Sequence, residues 1–221
     1  MADTYALTGA DGPIGRLIAE SLGSTLTLEG LDDSALVSRA SVEDGLSGLG
    51  RLGGVIHGFV PEAVTGSTDI AETSDAEWDE RCELVIRSTI NVLQGAYTAL
   101  KDTGGVVIVT LPTVGLSGQR HFAAYAAACE AQRTLVKGAA RAWGAVGIRV
   151  HSVVFGPELL GGEIAEIAPK ESLLLERALP DHPVDSWGGD IASAIEFLVG
   201  PGAEGLTGTT VSVDSGRWMP L

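Results

Sequence analysis

Short apolar runs punctuate this chain at intervals wide enough for helices. Thr4–Thr8, Thr25–Leu28, Gly54–Val60, Val106–Thr110, Ile148–Val154 and Thr210–Val213 read as strands. The middle runs are apolar throughout rather than alternating, the mark of strands buried on both faces of a parallel sheet. Between them, Ile14–Leu22, Ser41–Leu49, Trp78–Leu100, Tyr125–Gly144 and Gly189–Leu198 read as helices. Ser41 is read as an N-cap, and Asp75, Glu77 and Asp79 load the start of the fourth-strand-to-helix connection with acid, as a helix N-terminus favours. The pattern predicts an α/β fold: one doubly wound, Rossmann-type domain over 1–221, its parallel sheet flanked by helices.

One interval is too short. Only Gly30–Gly53 separates the second strand from the next buried one, whereas a full βαβ unit takes about 30 residues. The stretch accommodates a loop (Leu31–Ser34), a short strand (Ala35–Ser38) and a single helix, so the helix after strand two is missing. After Pro157, a flexible segment is expected through Gly161-Gly162 to Lys170, followed by a helix over Glu171–Ala178.

Composition narrows the function classes. The 221 residues carry a formal charge of −15, which argues against nucleic acid or an anionic membrane surface as partner. No apolar run reaches the roughly 20 residues of a membrane span. The N-terminus enters a strand at once, so no signal peptide is expected and the reading is cytoplasmic. Cys82 and Cys129 fall in helical patterns and read as buried, reduced thiols. No His/Cys cluster has metal-ligand spacing, so no metal site is expected.

Chemistry concentrates in two places. The first is Thr8-Gly9-Ala10-Asp11-Gly12-Pro13-Ile14-Gly15, a glycine-rich strand-to-helix turn of the kind that offers backbone N–H groups to a phosphate. Gly9, Gly12, Ile14 and Gly15 are its candidate cofactor-binding residues. Glu29 stands near where a Rossmann domain holds an adenosine ribose. The second is Gly105–Pro157: a buried strand, a loop, a long Ala-rich helix opened by Tyr125, and a second buried strand.

Together these stretches resemble the short-chain dehydrogenase/reductase family. The resemblance implies a carbonyl or secondary-alcohol oxidoreductase using NAD(H) or NADP(H), with Tyr125 as acid/base. It also implies a lid over 155–182 and assembly through the 78–100 and 125–144 helices and the C-terminal strand. Yet the family's residues are changed at one position after another. Its Tyr-x-x-x-Lys becomes Tyr125 and Cys129, its serine thirteen residues before the tyrosine becomes Pro112, and its asparagine becomes Val85. The middle glycine of the phosphate turn becomes Pro13, and Asn-Asn-Ala-Gly becomes His57-Gly58-Phe59-Val60. Thr113 is the nearest hydroxyl able to stand in for the serine. Arg133, about 12 Å along the helix from Tyr125, is too far to replace the lysine.

The expectation is therefore a catalytically degenerate subunit, a pseudoenzyme with a vestigial Tyr125 and an impaired nucleotide turn. It would bind no cofactor itself. It would assemble, as in a heterotetramer, with an active paralogue, such as one acting on an acyl-CoA thioester. Two alternatives accompany it: an active NAD(P)-dependent oxidoreductase using Tyr125 and Thr113, and a non-redox reuse of a cleft lined by His57, His121 and Tyr125.

Overall fold

The computed structural model describes residues 4–171 and 177–219. Six parallel strands form one sheet in the order β2-β1-β3-β4-β5-β6, with β1 Thr4–Thr8, β2 Thr27–Leu31, β3 Leu52–His57, β4 Gly105–Pro112, β5 Ile148–Phe155 and β6 Thr210–Val213. The helices are α1 Pro13–Leu22, α2 Arg39–Ser47, α3 Asp75–Trp78, α4 Leu84–Leu100, α5 Val114–Ser117, α6 Ala123–Trp143, α7 Gly162–Glu171 and α8 Trp187–Val199. Helices α1 and α8 pack together on one side of the sheet, and α2, α4 and α6 pack in a row on the other. Every residue of β4 after Gly105 is buried, as is every residue of β5 except Arg149, because helices cover both faces.

The short stretch after β2 differs from the expected strand. Residues Asp33–Val37 form a 3₁₀ turn, and β2 is left at the sheet edge. Side chains satisfy this segment in place of a ladder. Asp32 accepts from the Ser34 N–H at 2.7 Å, and Asn91 of α4 donates to the Leu36 carbonyl at 2.8 Å. Leu36 is buried, so the turn is anchored by packing as well. Helix α2 then starts earlier than expected: Ser38, not Ser41, is the N-cap, and its hydroxyl accepts from the Ser41 N–H. The expected single helix in this interval is present.

Strand β2 also begins later than Thr25. The N–H groups of Thr25 and Leu26 still bond back to the Leu22 carbonyl at the end of α1. Strand β3 stops at His57, since the Gly58 N–H turns to the Thr8 carbonyl at 3.1 Å. The segment expected to be flexible, 161–170, is helix α7, docked through a bond from the Ser67 N–H to Glu163. Most of the helix expected over Glu171–Ala178 lies outside the described residues. The acidic start of the long helix is as anticipated: Ser74 and Glu77 form a reciprocal capping box. One π-helical turn, Asp79–Glu83, joins α3 to α4.

Candidate functional site

In an open parallel sheet, ligands bind over the carboxyl ends of the strands. Two groups of residues occupy that edge. The first is the turn after β1. Gly9 has φ +72°, and a Cβ there would stand 2.5 Å from the backbone of Phe59. A Cβ on Gly15 would stand 2.0 Å from the Gly9 carbonyl. Both glycines are thus required by close packing of β1, α1 and the segment after β3. Gly12 is the N-cap of α1, Pro13 is its first residue, and the Ile14 side chain points into the core. The turn is thus a close-packed connection from β1 into α1.

Its first N–H, however, is engaged. Gly9 donates to Asp33 Oδ1 at 2.7 Å. Burial raises the Asp33 carboxyl above its ordinary value; the Gly9 bond opposes this, and the nearby charges of Asp11 and Asp32 add to the rise. Glu29 sits within β2, paired in register with Ala6 and exposed at the edge. The carboxylate in contact with the glycine turn is therefore Asp33. Sequence reading missed it because a strand was expected to begin two residues later.

The second group surrounds Tyr125, in the first turn of α6. Its side chain is 3% exposed. Burial pushes the phenol well above its ordinary value, with the Cys129 sulfur, to which it is hydrogen-bonded, as the next cause. Cys129, one turn on, is wholly buried and its thiol is likewise raised, chiefly by burial. A phenol needs a nearby cation to ionise at neutral pH; here it faces a neutral thiol. Lys137 is exposed about 18 Å farther along the helix. Arg133 pairs with Glu130 at 3.1 Å and lies over the Trp218 ring. Arg81 lines a small cavity with Tyr125, Thr68 and Phe122, but Glu77 at 3.3 Å and Thr68 at 2.7 Å engage it.

Thr113 does not join Tyr125 in that cavity. It follows β4, is 4% exposed, and lines a separate cavity of about 10 Å³ with Ser117, Gln119, Pro157, Arg217 and Trp218. Pro112 ends β4 and offers no hydroxyl. Val85 is buried core, one turn before Thr89. His121 has φ +66° and lines the Tyr125 cavity together with Phe122.

His57 belongs to a closed polar network. Thr89 Oγ1 gives its one proton to the Val85 carbonyl at 2.8 Å and accepts from Gln132 Nε2 at 2.8 Å. The contact of His57 Nε2 with Thr89 Oγ1, 3.2 Å, must then be donated by the imidazole. Nδ1 is left to accept from Thr8 Oγ1 at 2.7 Å. Both ring nitrogens are satisfied only in the neutral form, and burial drives the pKa down to about 4. Phe59 and Val60 pack onto the core where the resemblance puts small residues. Among the described residues, no His/Cys/Asp/Glu group is arranged to hold a metal, and no helix is long and apolar enough to cross a membrane.

Comparison with known proteins gives one family match, two curated relatives and two solved structures. A family profile described as enoyl-(acyl carrier protein) reductase matches residues 32–217. The chain is 25% identical over 212 residues to the 3-oxoacyl-[acyl-carrier-protein] reductase FabG of Staphylococcus aureus strain Mu50, covering 91% of this chain and 83% of that one. It is 28% identical over 146 residues to acetoacetyl-CoA reductase of Rhizobium meliloti, covering 65% of this chain and 59% of that one. Among solved structures, a dehydrogenase/reductase from Sinorhizobium meliloti 1021 superimposes with a TM-score of 0.78 at 23% identity, covering 98% of this chain and 96% of that one. A 3-ketoacyl-ACP reductase from the same organism gives 0.75 at 23% identity, covering 97% and 98%.

Proposed function

Because the chain belongs to the short-chain dehydrogenase/reductase superfamily, we propose that it is an oxidoreductase-fold subunit whose own chemistry is disabled and which supports the assembly of an active relative. The observation that carries this reading is the Tyr125–Cys129 pair. A working general acid/base must exchange a proton with the reacting oxygen near the operating pH. A phenol that is 3% exposed, raised by burial and set against a neutral thiol does neither. The Gly9–Asp33 contact supports the same reading, since a carboxylate occupies an N–H that a nucleotide would use. The partner surfaces of this reading are the outer faces of α4 and α6 and the edge strand β6. On α6 that face carries Ala127, Thr134, Gly138 and Ala142, all exposed and small.

The test is assembly and binding in one preparation. The purified chain is titrated with NAD(H) and NADP(H), then mixed with a complete family member from the same genome. The expected result is no tight nucleotide binding alone, co-elution with the partner, and unchanged activity of the complex when this chain carries Tyr125→Phe. Turnover by the isolated chain, abolished by Tyr125→Phe, would overturn it.

A second reading has its own support. The relatives are named as reductases, and the first turn keeps Gly9 and Gly15 where no Cβ fits. Under it, the chain reduces a carbonyl with NAD(P)H, Asp33 binds the cofactor ribose and Thr113 assists. Asp33→Asn separates the two: it weakens nucleotide binding if Asp33 holds a ribose and strengthens it if Asp33 obstructs the turn.

A further inference from the structure

We infer that the C-terminal turn, Asp214–Trp218, is a latched plug closing the crevice over the carboxyl ends of β4 and β5. Strand β6 runs parallel to β5 and so delivers the chain to the edge where such sheets bind ligands. There the chain folds back at once. The buried Asp214 carboxylate accepts from the N–H groups of Gly216 at 3.1 Å and Trp218 at 2.9 Å. Ser215 is held in the left-handed region at φ +58°, which a non-glycine residue adopts only when its surroundings enforce it.

The fold-back carries two side chains over the crevice. Arg217 grips Glu158, just beyond β5, with Nη1 3.0 Å from Oε2 and Nη2 on Oε1. These side chains are 9% and 15% exposed. Trp218 lies beneath the Arg133 guanidinium of α6, 5.5 Å from its ring centroid. Between Trp218 and Arg217 on one side and Thr113, Ser117, Gln119 and Pro157 on the other, only about 10 Å³ is left, enough for about one water. The acid of the latch is itself fixed: a Cβ on Gly156 would stand 2.5 Å from Glu158 Oε2 and 2.1 Å from the buried Trp187 ring. A bond from the Leu179 N–H to the Ser215 carbonyl, 3.0 Å, ties residues 177–182 to the same turn.

The choice of an ion pair makes this a latch rather than core. A nearly buried pair gains Coulomb energy but gives up hydration, and the two roughly cancel. Separated into water, both charges recover hydration, so the pair itself adds little to the cost of opening, which is left to the Leu179–Ser215 bond and the packing of Trp218. An apolar anchor at Arg217 would hold it shut. The crevice beneath is lined by the Thr113 and Ser117 hydroxyls beside apolar Val114 and Pro157, which suits a small, mostly apolar ligand with one hydrogen-bonding group. This closure is independent of whether the chain turns over a substrate, and its test involves no nucleotide.

The test uses the full-length chain, 8-anilinonaphthalene-1-sulfonate as probe, and two variants. Trp218→Ala removes the plug, and Glu158→Gln cuts the latch while preserving volume. Trp218→Ala is expected to bind one probe per chain about tenfold more tightly than the unmodified protein, and Glu158→Gln about threefold. Amide shifts in ¹⁵N spectra should gather on Val114, Ser117 and Gln119. An unchanged near-ultraviolet signal from Trp187 certifies folding. If Trp218→Ala unfolds the chain, Glu158→Gln decides. Equal probe binding in all three proteins, shifts located elsewhere, or unfolding of both variants would overturn the plug and leave the turn as ordinary packing.

Discussion

The two ends of the carboxyl edge have departed from the family pattern in different ways. Over β1, Gly9, Gly12 and Gly15 hold a close-packed turn, and one carboxylate, Asp33, engages one of its N–H groups. Over β4 and β5, the side chains have changed character. The phenol is buried against a thiol, the serine position is Pro112, and a tryptophan stands over the crevice. The first departure can be undone by moving one group. On the proposed reading, the second would require a new charge, a new hydroxyl and an open crevice together. The turn over β1 would then keep its geometry because packing also needs it, whereas a catalytic constellation is needed by nothing else.

That contrast can be broken most forcefully at Gly9. If packing alone demands this glycine, Gly9→Ala costs about 3 kcal/mol or more, read from urea unfolding, because the new Cβ meets the Phe59 backbone and φ is positive. A tolerated alanine would mean that packing does not require this glycine.

His57, between the two ends, gives the next largest effect. Its folded pKa is about 4 and its ordinary value 6.5. Between these values the unfolded chain binds the proton and the folded chain does not, so stability is full above about pH 6.5 and falls as pH drops toward 4. The loss is on the order of 3 kcal/mol. His151, also buried and lowered to about 4 by burial, titrates over the same window. His57→Gln should therefore remove about half of the pH slope measured by denaturant midpoints. An unchanged slope would detach His57 from the acid sensitivity.

Asp33→Asn sharpens the contrast directly. Removing the charge at Gly9 should raise NADH affinity by about tenfold, measured by nucleotide fluorescence. A fall instead would make Asp33 a ribose ligand and return the first turn to working order. The smallest effect lies outside both ends: Ser74→Ala deletes the capping box and should cost about 1 kcal/mol. It calibrates what an ordinary local loss looks like in this chain.

The fold was legible where burial dictated the pattern. The continuous apolar runs of β3, β4 and β5 and the Ala-rich α6 could be read directly because a strand or helix covered on both sides has few polar positions. The interval 30–53 was legible in length but not in form. Ala-Leu-Val looks like a strand, and nothing local reveals that Asn91, far along the chain, will take the Leu36 carbonyl. At the candidate site, the departures from the resemblance at Cys129, Pro112 and Pro13 were visible residue by residue. The contacts of Asp33 with Gly9, and of Trp218 with Arg133 over the β4–β5 crevice, join residues distant in sequence. No spacing rule predicts such contacts.

The absent strand beside β2 also bears on how the protein behaves in a crowded solution. Thr27–Leu31 presents unsatisfied backbone groups along one side, a template on which another extended chain can be laid down. Glu29 stands exposed in the middle of that strand, next to the poorly strand-forming Gly30. Two such edges brought together antiparallel about their centres would set carboxylate against carboxylate. The side chain first considered for a sugar thus places a charge in the middle of an edge strand, where like charge opposes pairing of two such edges.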